Sequence, residues 1–489
     1  MDITSLLNSI KVQQVSGEIS RERITGIYYD SRKVKNNSIF VAIKGFKTDG
    51  HKFISDAINN GALAVVLDDG KVFSNDIILR RDAVKILVGD SREALAELSN
   101  SFFDEPSKKI KLIGVTGTNG KTTTTYFMKS IFDTAGYKTG LVGTITNFIG
   151  DMEMNSSLTT PESNDLNMLF HEMYEKGCKF AVMEVSSHSL MLKRVHKLYF
   201  SAGVFTNLTQ DHLDFHHNFE NYFNAKKILF DTLDTSVSAI YNLDDSYGSR
   251  IVADSKAKLF SFGSSDISEF RLMDIRFDLN GTSFSIKYND QEYEASTCLV
   301  GDFNAYNACA AFSTAFLSGI DSEAILKGIK NTKPVPGRFE VIESGNKKVI
   351  VDYSHTPDSL EKALRAIRKI VKNDKPVYAV FGCGGNRDKA KRPIMGKIAS
   401  EYADNVILTS DNPRFEEPMA IIEEIKSGIS KKNYSIIENR EEAIKNSIYS
   451  SEDDAVILIA GKGHETYQDI KGVRNHFSDK EMTEKYLKR

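Results

Sequence analysis

The apolar positions of this 489-residue chain fall into short, near-continuous runs separated by polar turns and amphipathic stretches. Near the N-terminus ITGIYYD, SIFVAI, ALAVVL and KILVGD have the β-branched content of strands. HKFISDAINNG reads as a helix and the stretch from Arg92 to Phe103 as a closing one, after which DEPSKK (104–109) is a candidate linker. KGFKTDG (44–50) is a turn-rich loop. From 110 to about 330 the runs LIGVTG, TGLVGTI, FAVMEVSS, AGVFTNL, SAIYNL and KLFSFG are buried-type strands, with helical stretches between several of them. That alternation predicts a mostly parallel sheet covered by helices on both faces. Residues 270–300 alternate instead and carry Asn280-Gly281, a strong hairpin signal, so a small antiparallel annex is expected there. GDFNAYNACAAFSTAFLSGI returns to a helix starting near Asn304.

KPVPGRFE (333–340) is a second candidate linker. Beyond it KVIVDYS, VYAVFGCGG, NVILTSDNP, YSIIEN and AVILIAGKG recur as strands with helices between them, a doubly wound pattern. The polar clusters DYSH, GGNRD, SDNPR and GKGHE all follow strands, and in such sheets ligands sit beyond the carboxyl ends of the strands. The expected fold class is α/β in three domains, 1–104, 105–333 and 334–489. The last of these is expected to be Rossmann-like.

Composition narrows the class. With 41% hydrophobic and 26% charged residues the chain is that of a soluble globular protein. A formal net charge of −3 gives no sign of a nucleic-acid or membrane surface. MDITSLLNSIKV lacks the basic start and long apolar core of a signal peptide, and no apolar run approaches a membrane span. Cys178, Cys298, Cys309 and Cys383 are scattered without metal spacing and read as reduced thiols, so a cytoplasmic location is expected.

The chemistry centres on IKLIGVTGTNGKTTTT (110–125), where an apolar strand breaks into a Gly-rich turn, a lysine and a threonine row. Gly117 and Gly120 would turn backbone N–H groups toward a polyphosphate, Lys121 would reach its terminal phosphates, and Thr122 could ligate Mg²⁺. The common G-x-x-x-x-G-K-[ST] pattern is missed by one place, because Val115 stands where the first glycine belongs. Glu184 closes a strand in MEVSS, a frequent position for a carboxylate that holds Mg²⁺ directly or through water. The Asp211-His212 pair follows another strand and is as readily structural as functional. Taken alone, Lys226 in YFNAKKILF reads as a solvated helix residue. In the last third, Asp352 at a strand end suits a ribose. Arg387 and Arg414 offer planar forks to a carboxylate or phosphate, and Asn412 adds neutral hydrogen bonds. Lys462, His464 and Glu465 carry both charge signs, as a zwitterionic ligand requires.

Together GTNGKTT, LTTPE, MEVSSH, TNLTQDHLDFH, YFNAK, GDFNAYN, PGRFE, VDYSHTPD, GCGGNRD, SDNPR and AGKGHE resemble the Mur ligase family over essentially the whole chain. The segment DSRKVKNNSIFVAIKGFKTDG is similar to a UDP-sugar-binding N-terminal domain of that family. The resemblance implies ATP-dependent amide formation through an acyl phosphate, with ATP held by Gly117, Thr118, Asn119, Gly120, Lys121, Thr122 and Thr123. Asn304, Arg338 and Asp352 would also contact the nucleotide. It further implies two Mg²⁺ sites using Thr122, Glu184, His212 and a carbamylated Lys226, with Lys121 as a further catalytic group. Tyr29, Ser31, Phe46, Lys47 and Thr48 would contact the uridine diphosphate, and Thr159, Thr160, Ser186 and Arg194 the muramoyl peptide UDP-MurNAc-L-Ala-D-Glu. Arg387, Asp411, Asn412, Pro413, Arg414, Gly461 and Glu465 would take the incoming amino acid. Within the family the DNPR motif resembles the branch that adds meso-diaminopimelate; a lysine-adding enzyme is the alternative. A P-loop GTPase is disfavoured because no N-K-x-D motif is present. A monomer is expected.

Overall fold

The computed structural model describes residues 1–19, 22–45, 48–72, 83–372 and 374–488. The chain divides into two compact units. The first comprises Met1–Gly114, Tyr137–Gly203 and Asp231–Val237, and the second Val115–Gly136, Val204–Phe230 and Ser238–Arg489.

In the first unit β1 (Val12–Ser16), β2 (Gly26–Tyr28), β3 (Ser38–Val41), β4 (Ala62–Leu67) and β5 (Val84–Val88) form a sheet in the order β1-β5-β4-β3-β2. Only the β1–β5 pairing is antiparallel. The apolar run ALAVVL becomes the middle strand because both of its faces are covered. Ala64 and Val66 pack with Ala94, Leu95 and Leu98 of the helix Ser91–Phe102. Val65 and Leu67 pack with Ile54, Ala57 and Ile58 of the helix Ile54–Asn59. The expected linker is partly ordered: Asp104 and Glu105 adopt left-handed φ of 59° and 48°, and Pro106–Lys109 form a helical turn.

β6 (Lys111–Thr116) carries the chain from the first unit into the second. Also in the first unit, β7 (Thr139–Val142) pairs antiparallel with β8 (Thr146–Ile149), which pairs antiparallel with β9 (Met152–Asn155). β10 (Phe180–Glu184) runs parallel to β7. The β8–β9 hairpin turns on Gly150-Asp151, with Gly150 at φ 62°, and is not among the expected elements.

β11 (Ala202–Phe205) carries the chain back into the second unit, where β12 (Ser238–Asn242) and β13 (Lys258–Gly263) pair in parallel. The expected annex is β14 (Phe270–Asp278), β15 (Gly281–Tyr288) and β16 (Gln291–Thr297), all antiparallel. It is not separate, because β14 begins by pairing in parallel with β13. Asp278 pairs with Gly281, so Leu279 and Asn280 form the turn and the glycine opens the next strand. A Cβ on Gly281 would lie 2.2 Å from the Thr297 carbonyl oxygen, which explains the glycine there. The helix Lys121–Thr134 packs against the helices Asp302–Leu317 and Ser322–Asn331. Gly328 makes the second crossing close, since a Cβ there would meet Ile131 Cα at 2.4 Å.

The rest of the second unit is a six-stranded sheet of β17 (Glu340–Ser344), β18 (Lys347–Asp352), β19 (Val377–Phe381), β20 (Asn405–Leu408), β21 (Tyr434–Ile436) and β22 (Val456–Ala460). Its order is β17-β18-β22-β19-β20-β21, parallel except for the edge strand β17. The parallel run brings the carboxyl ends of β18, β19, β20 and β22 to one edge, as the sequence predicts. Added there is an unforeseen hairpin, β23 (Tyr467–Ile470) with β24 (Val473–His476).

Candidate active site

Each unit holds its own polar cluster. In the first unit β10 ends in Glu184, which is buried and accepts hydrogen bonds from Thr144 N (2.8 Å) and Thr144 Oγ1 (3.0 Å). Thr159 Oγ1 lies 3.0 Å from Thr144 Oγ1, and Thr160 Oγ1 donates to the Glu184 carbonyl at 2.8 Å. Ser186 N donates back to Thr160 Oγ1 at 3.2 Å. Arg194 binds the Thr160 carbonyl (3.0 Å) and Glu162 Oε1 (3.0 Å), and Glu162 also pairs with Arg92 at 3.2 Å. Three residues after Glu162, Asp165 accepts from the Tyr29 hydroxyl at 2.5 Å. Burial and then Asp165 push the Tyr29 phenol well above its ordinary range. The structure therefore links Thr159, Thr160, Glu184, Ser186 and Arg194 through Glu162 and Thr144, and holds Tyr29 through Asp165, three residues the sequence did not single out. Ser31 is held by Asn60 Nδ2 on its carbonyl (3.0 Å), and exposed Thr48 by Gly45 N on its own (2.9 Å). Phe46 and Lys47 lie outside the described residues.

In the second unit the strand-to-helix turn has the form expected of a phosphate loop. Gly117 (φ 151°) and Gly120 (φ 87°) cannot be replaced without clash, since a Cβ would meet Thr206 Oγ1 at 1.9 Å and Asn307 Oδ1 at 2.4 Å. Lys121 curls over the loop and donates to the carbonyls of Gly117 and Thr118, both at 2.8 Å. Thr118 Oγ1 lies 3.0 Å from the Tyr222 hydroxyl, and Asn119 is held by Asn207 (2.9 Å) and Asp358 (2.8 Å). Thr122 and Thr123 are buried in the first turn of the helix, with Arg338 Nη2 3.2 Å from Thr122 Oγ1. Asn304 donates to the Val300 carbonyl and accepts from Asn307.

Lys226 departs from the solvated reading: it is 1% exposed. It lies on the helix Phe219–Asp231 among buried Tyr222, Phe223, Leu229 and Phe230. Its Nζ donates to the Gly117 carbonyl at 2.9 Å and sits 4.6 Å from the Tyr222 ring centre. Burial and then the charge of Lys121 push its pKa well below 10.5, with Asp211 opposing. Nearby, burial would raise the Asp211 carboxyl, but His212, His355 and Lys391 outweigh it and hold it at about 2. Among the described residues no group of three or more His, Cys, Asp or Glu is arranged to hold a metal ion. A threonine hydroxyl at a helix start and a buried lysine of lowered pKa, able to become a carbamate anion, are nonetheless donors that suit Mg²⁺.

The same unit carries the strand-end loops. Asp352 accepts from the backbone N–H of Phe339 (2.7 Å) and Ser354 (2.9 Å). Arg338 lies over the Tyr353 ring, 4.5 Å from its centre, and the His464 ring packs tilted against the same tyrosine at 5.0 Å. Burial, then Arg338, push His464 down to about 3, so it is neutral near pH 7. Asn412 Nδ2 and Lys462 Nζ both donate to Glu465 Oε2, at 2.8 and 3.0 Å. Lys462 also lies 3.9 Å from Asp411 Oδ1, and a Cβ on Gly461 would meet Asp411 Oδ2 at 2.6 Å. Arg414 Nη1 donates to the Gly385 carbonyl at 2.8 Å, and Pro413 packs its own carbonyl against Gly385. Arg387, on the adjoining loop, reaches Asp214 at 3.3 Å. The arrangement can bind a polyphosphate at one end and, through two guanidinium groups and a carboxylate, a zwitterion at the other.

Family models match the chain in three stretches, described as "Mur ligase family, catalytic domain" (residues 23–103), "Mur ligase middle domain" (115–315) and "Mur ligase, glutamate ligase domain" (337–463). The chain belongs to the Mur ligase family. This Mur ligase is 44% identical over 490 residues to UDP-N-acetylmuramoyl-L-alanyl-D-glutamate–2,6-diaminopimelate ligase of Clostridium tetani, covering 100% of this chain and 99% of the relative. Its identity to the enzyme of the same name from Aquifex aeolicus is also 44%, covering 95% of this chain and 94% of the relative. Among solved structures a ligase of that name matches with a TM-score of 0.70 at 31% identity, covering 100% of this chain and 99% of the other. A MurF ligase from Thermotoga maritima in complex with ADP shares the fold (TM-score 0.66, 20% identity, 95% and 98% covered). The three-domain α/β class expected from the sequence is that of the family, and no helix among the described residues is long and apolar enough to cross a membrane.

Proposed function

We propose that this Mur ligase joins meso-2,6-diaminopimelate to the D-Glu γ-carboxylate of UDP-N-acetylmuramoyl-L-alanyl-D-glutamate, using ATP. The observation that carries the amino-acid assignment is Arg414, held on a strand-end loop beside Asn412, Lys462 and Glu465. Diaminopimelate is lysine with a second amino-acid head, so its extra carboxylate gives Arg414 a charged partner that lysine lacks. Leaving a partly buried guanidinium unpaired costs on the order of 2–5 kcal/mol.

In this reading residues 1–104 bind the UDP end through Tyr29, Ser31 and the loop of Phe46, Lys47 and Thr48. Residues 105–333 bind ATP, and 334–489 the amino acid. Thr159, Thr160, Ser186 and Arg194 grip the peptide. Backbone N–H groups of Gly117 to Thr123 cradle the phosphates, while Asn304, Arg338 and Asp352 hold the nucleoside end. Thr122, Glu184, His212 and a carbamylated Lys226 would hold Mg²⁺, which supplies positive charge to the phosphates. Carbamylation joins the neutral Lys226 amine to CO₂ with loss of one proton, and the lowered pKa of that amine favours it.

Lys121 moves from its loop carbonyls to the γ-phosphoryl group and offsets its charge during transfer to the D-Glu carboxylate. Arg387 and Arg414 grip the two carboxylates of diaminopimelate, and Gly461 with Glu465 takes its distal ammonium. Asp411, Asn412 and Pro413 fix the loop that carries Arg414. The free amine then attacks the acyl phosphate, and phosphate leaves. The enzyme works as a cytoplasmic monomer.

The test is product formation from the UDP-muramoyl dipeptide, meso-diaminopimelate, ATP and Mg²⁺. Amide product that appears only with ATP supports the assignment. No product with either diaminopimelate or lysine would overturn it.

A further inference from the structure

The loops that carry Arg387 and Arg414 are fastened together from beneath by an arginine outside both motifs. Arg392 is 0% exposed and lies on the helix Lys391–Tyr402. Its Nη1 donates to Glu416 Oε2 (3.0 Å) and Glu424 Oε2 (2.8 Å). Its Nη2 donates to Glu416 Oε1 (3.1 Å) and to the Gly384 carbonyl (3.2 Å). Glu416 also accepts from Asn386 N at 2.5 Å, and Asn386 Oδ1 accepts from Phe415 N at 3.1 Å. Gly385 N closes the seam on the Asn412 carbonyl at 2.9 Å. A Cβ at Gly385 would lie 1.9 Å from the Pro413 carbonyl oxygen, so the backbones touch.

Both loops are held in uncommon conformations at this seam. Asn386 and Arg414 adopt left-handed φ of 53° and 51°. Such residues cost of order 1–3 kcal/mol each and persist only where their surroundings over-determine them. Glu416 does so for Asn386, because one carboxylate holds both Arg392 and the Asn386 backbone, while the Arg414 backbone is held directly by the Asp469 carbonyl (2.9 Å) and the Lys471 N–H (2.7 Å). Hydrogen bonds from Arg392, which outweigh burial, hold the Glu416 carboxyl at about 2, so it is ionised throughout the physiological range. Glu424 shares Arg392 and lies 4.0 Å from Lys389, but it belongs to the helix Pro418–Lys426 and does not hold the Asn386 backbone as Glu416 does.

We propose that Arg392 and Glu416 are positioning residues for amino-acid selection. The buried pair keeps the Asn386 backbone in register with the loop that carries Arg414 and thereby aims both guanidinium groups at the incoming amino acid. The inference rests on the reading above that these loops bind diaminopimelate. It assigns the aim of Arg414 to a pair that makes no contact with the ligand.

Steady-state kinetics of the full chain test it with E416Q, E416A, R392K and E424Q beside the wild type, each checked by thermal melting. Misaligning a binding group by about 1 Å costs up to 100-fold, so KM for diaminopimelate should rise roughly tenfold in E416Q and more in E416A. KM for ATP should stay within about twofold, and the preference for diaminopimelate over lysine should fall with the same ranking. E424Q, which removes the same charge from Arg392 while leaving the Glu416 bond to the Asn386 backbone in place, should leave both KM values near wild type. R392K keeps the charge but loses the fork, and should resemble E416Q; it carries the test if E416A does not fold. Wild-type turnover with an unchanged diaminopimelate KM in E416A and R392K overturns the positioning role alone. So does a parallel rise in both KM values, or an E424Q effect as large as that of E416A. A wild type that does not use diaminopimelate overturns the functional reading, and the inference with it.

Discussion

Lys226 and Arg440 are both buried basic side chains of the second unit, and they are housed in opposite ways. Arg440 and Asp479 are each 0% exposed at the side chain and meet through two hydrogen bonds of 2.7 and 2.8 Å. Arg440 also donates to the carbonyls of Ser410 (3.4 Å) and Ala460 (2.9 Å), where the strands leading to SDNPR and GKGHE end. Burial works against its charge, but Asp479 outweighs it and the pKa rises. Lys226 faces a carbonyl and a phenol ring instead, and burial drives its pKa down. A buried cation with a matched carboxylate is architecture. A buried amine with uncharged partners loses its proton readily, and a neutral amine is one that can react. Under the function proposed above, the difference separates a residue that holds the loops from one placed for chemistry beside the phosphate loop.

K226M gives the largest expected effect on that contrast. It should lower turnover on the order of a hundredfold or more, the scale for removing a charge-stabilising group, while melting no lower than the wild type at pH 7. A stable K226M with full activity would place Lys226 with the structural cations. R440M should do the reverse. It strands Asp479 without a partner, a loss of about 3–5 kcal/mol, visible as a lower melting temperature, and R440M/D479L should recover much of it. An R440M that melts with the wild type would break the comparison from the other side.

The smallest effect is a pH trend. Because the folded pKa of Lys226 lies below 10.5, the unfolded chain binds more protons between that depressed value and pH 10.5. Wild-type stability from this residue therefore rises with pH across the window. In bicarbonate-free buffer the advantage of K226M over wild type should shrink toward pH 10.5; an advantage that grows instead would mean the folded lysine keeps its proton.

Much of the second unit was legible in the sequence because its signals are local. Gly117, Gly120 and Lys121 sit within one turn, and the apolar runs that became β18, β19, β20 and β22 end directly in the polar clusters. The burial of Lys226 was half-legible. Tyr222, Phe223, Lys226, Leu229 and Phe230 share one helical stripe, so the lysine occupies a core position that the charge obscured. Arg392 with Glu416 and Arg440 with Asp479 were not legible, since partners 24 and 39 residues apart are chosen by the sheet and not by spacing. The same holds for Glu162, which joins Arg92 to Arg194 across long sequence gaps. The offset at Asn280-Gly281 has another cause: the close approach of the Thr297 carbonyl decides where the glycine goes.

The most direct test of the functional account is competition between meso-diaminopimelate and L-lysine for the wild-type enzyme, read as the ratio of their kcat/KM values. The account predicts a preference for diaminopimelate of about 30-fold or more, the equivalent of one unpaired buried charge, and its collapse in R414A with KM for ATP little changed. Lysine used as well as diaminopimelate by the wild type, or a preference untouched in R414A, would contradict it.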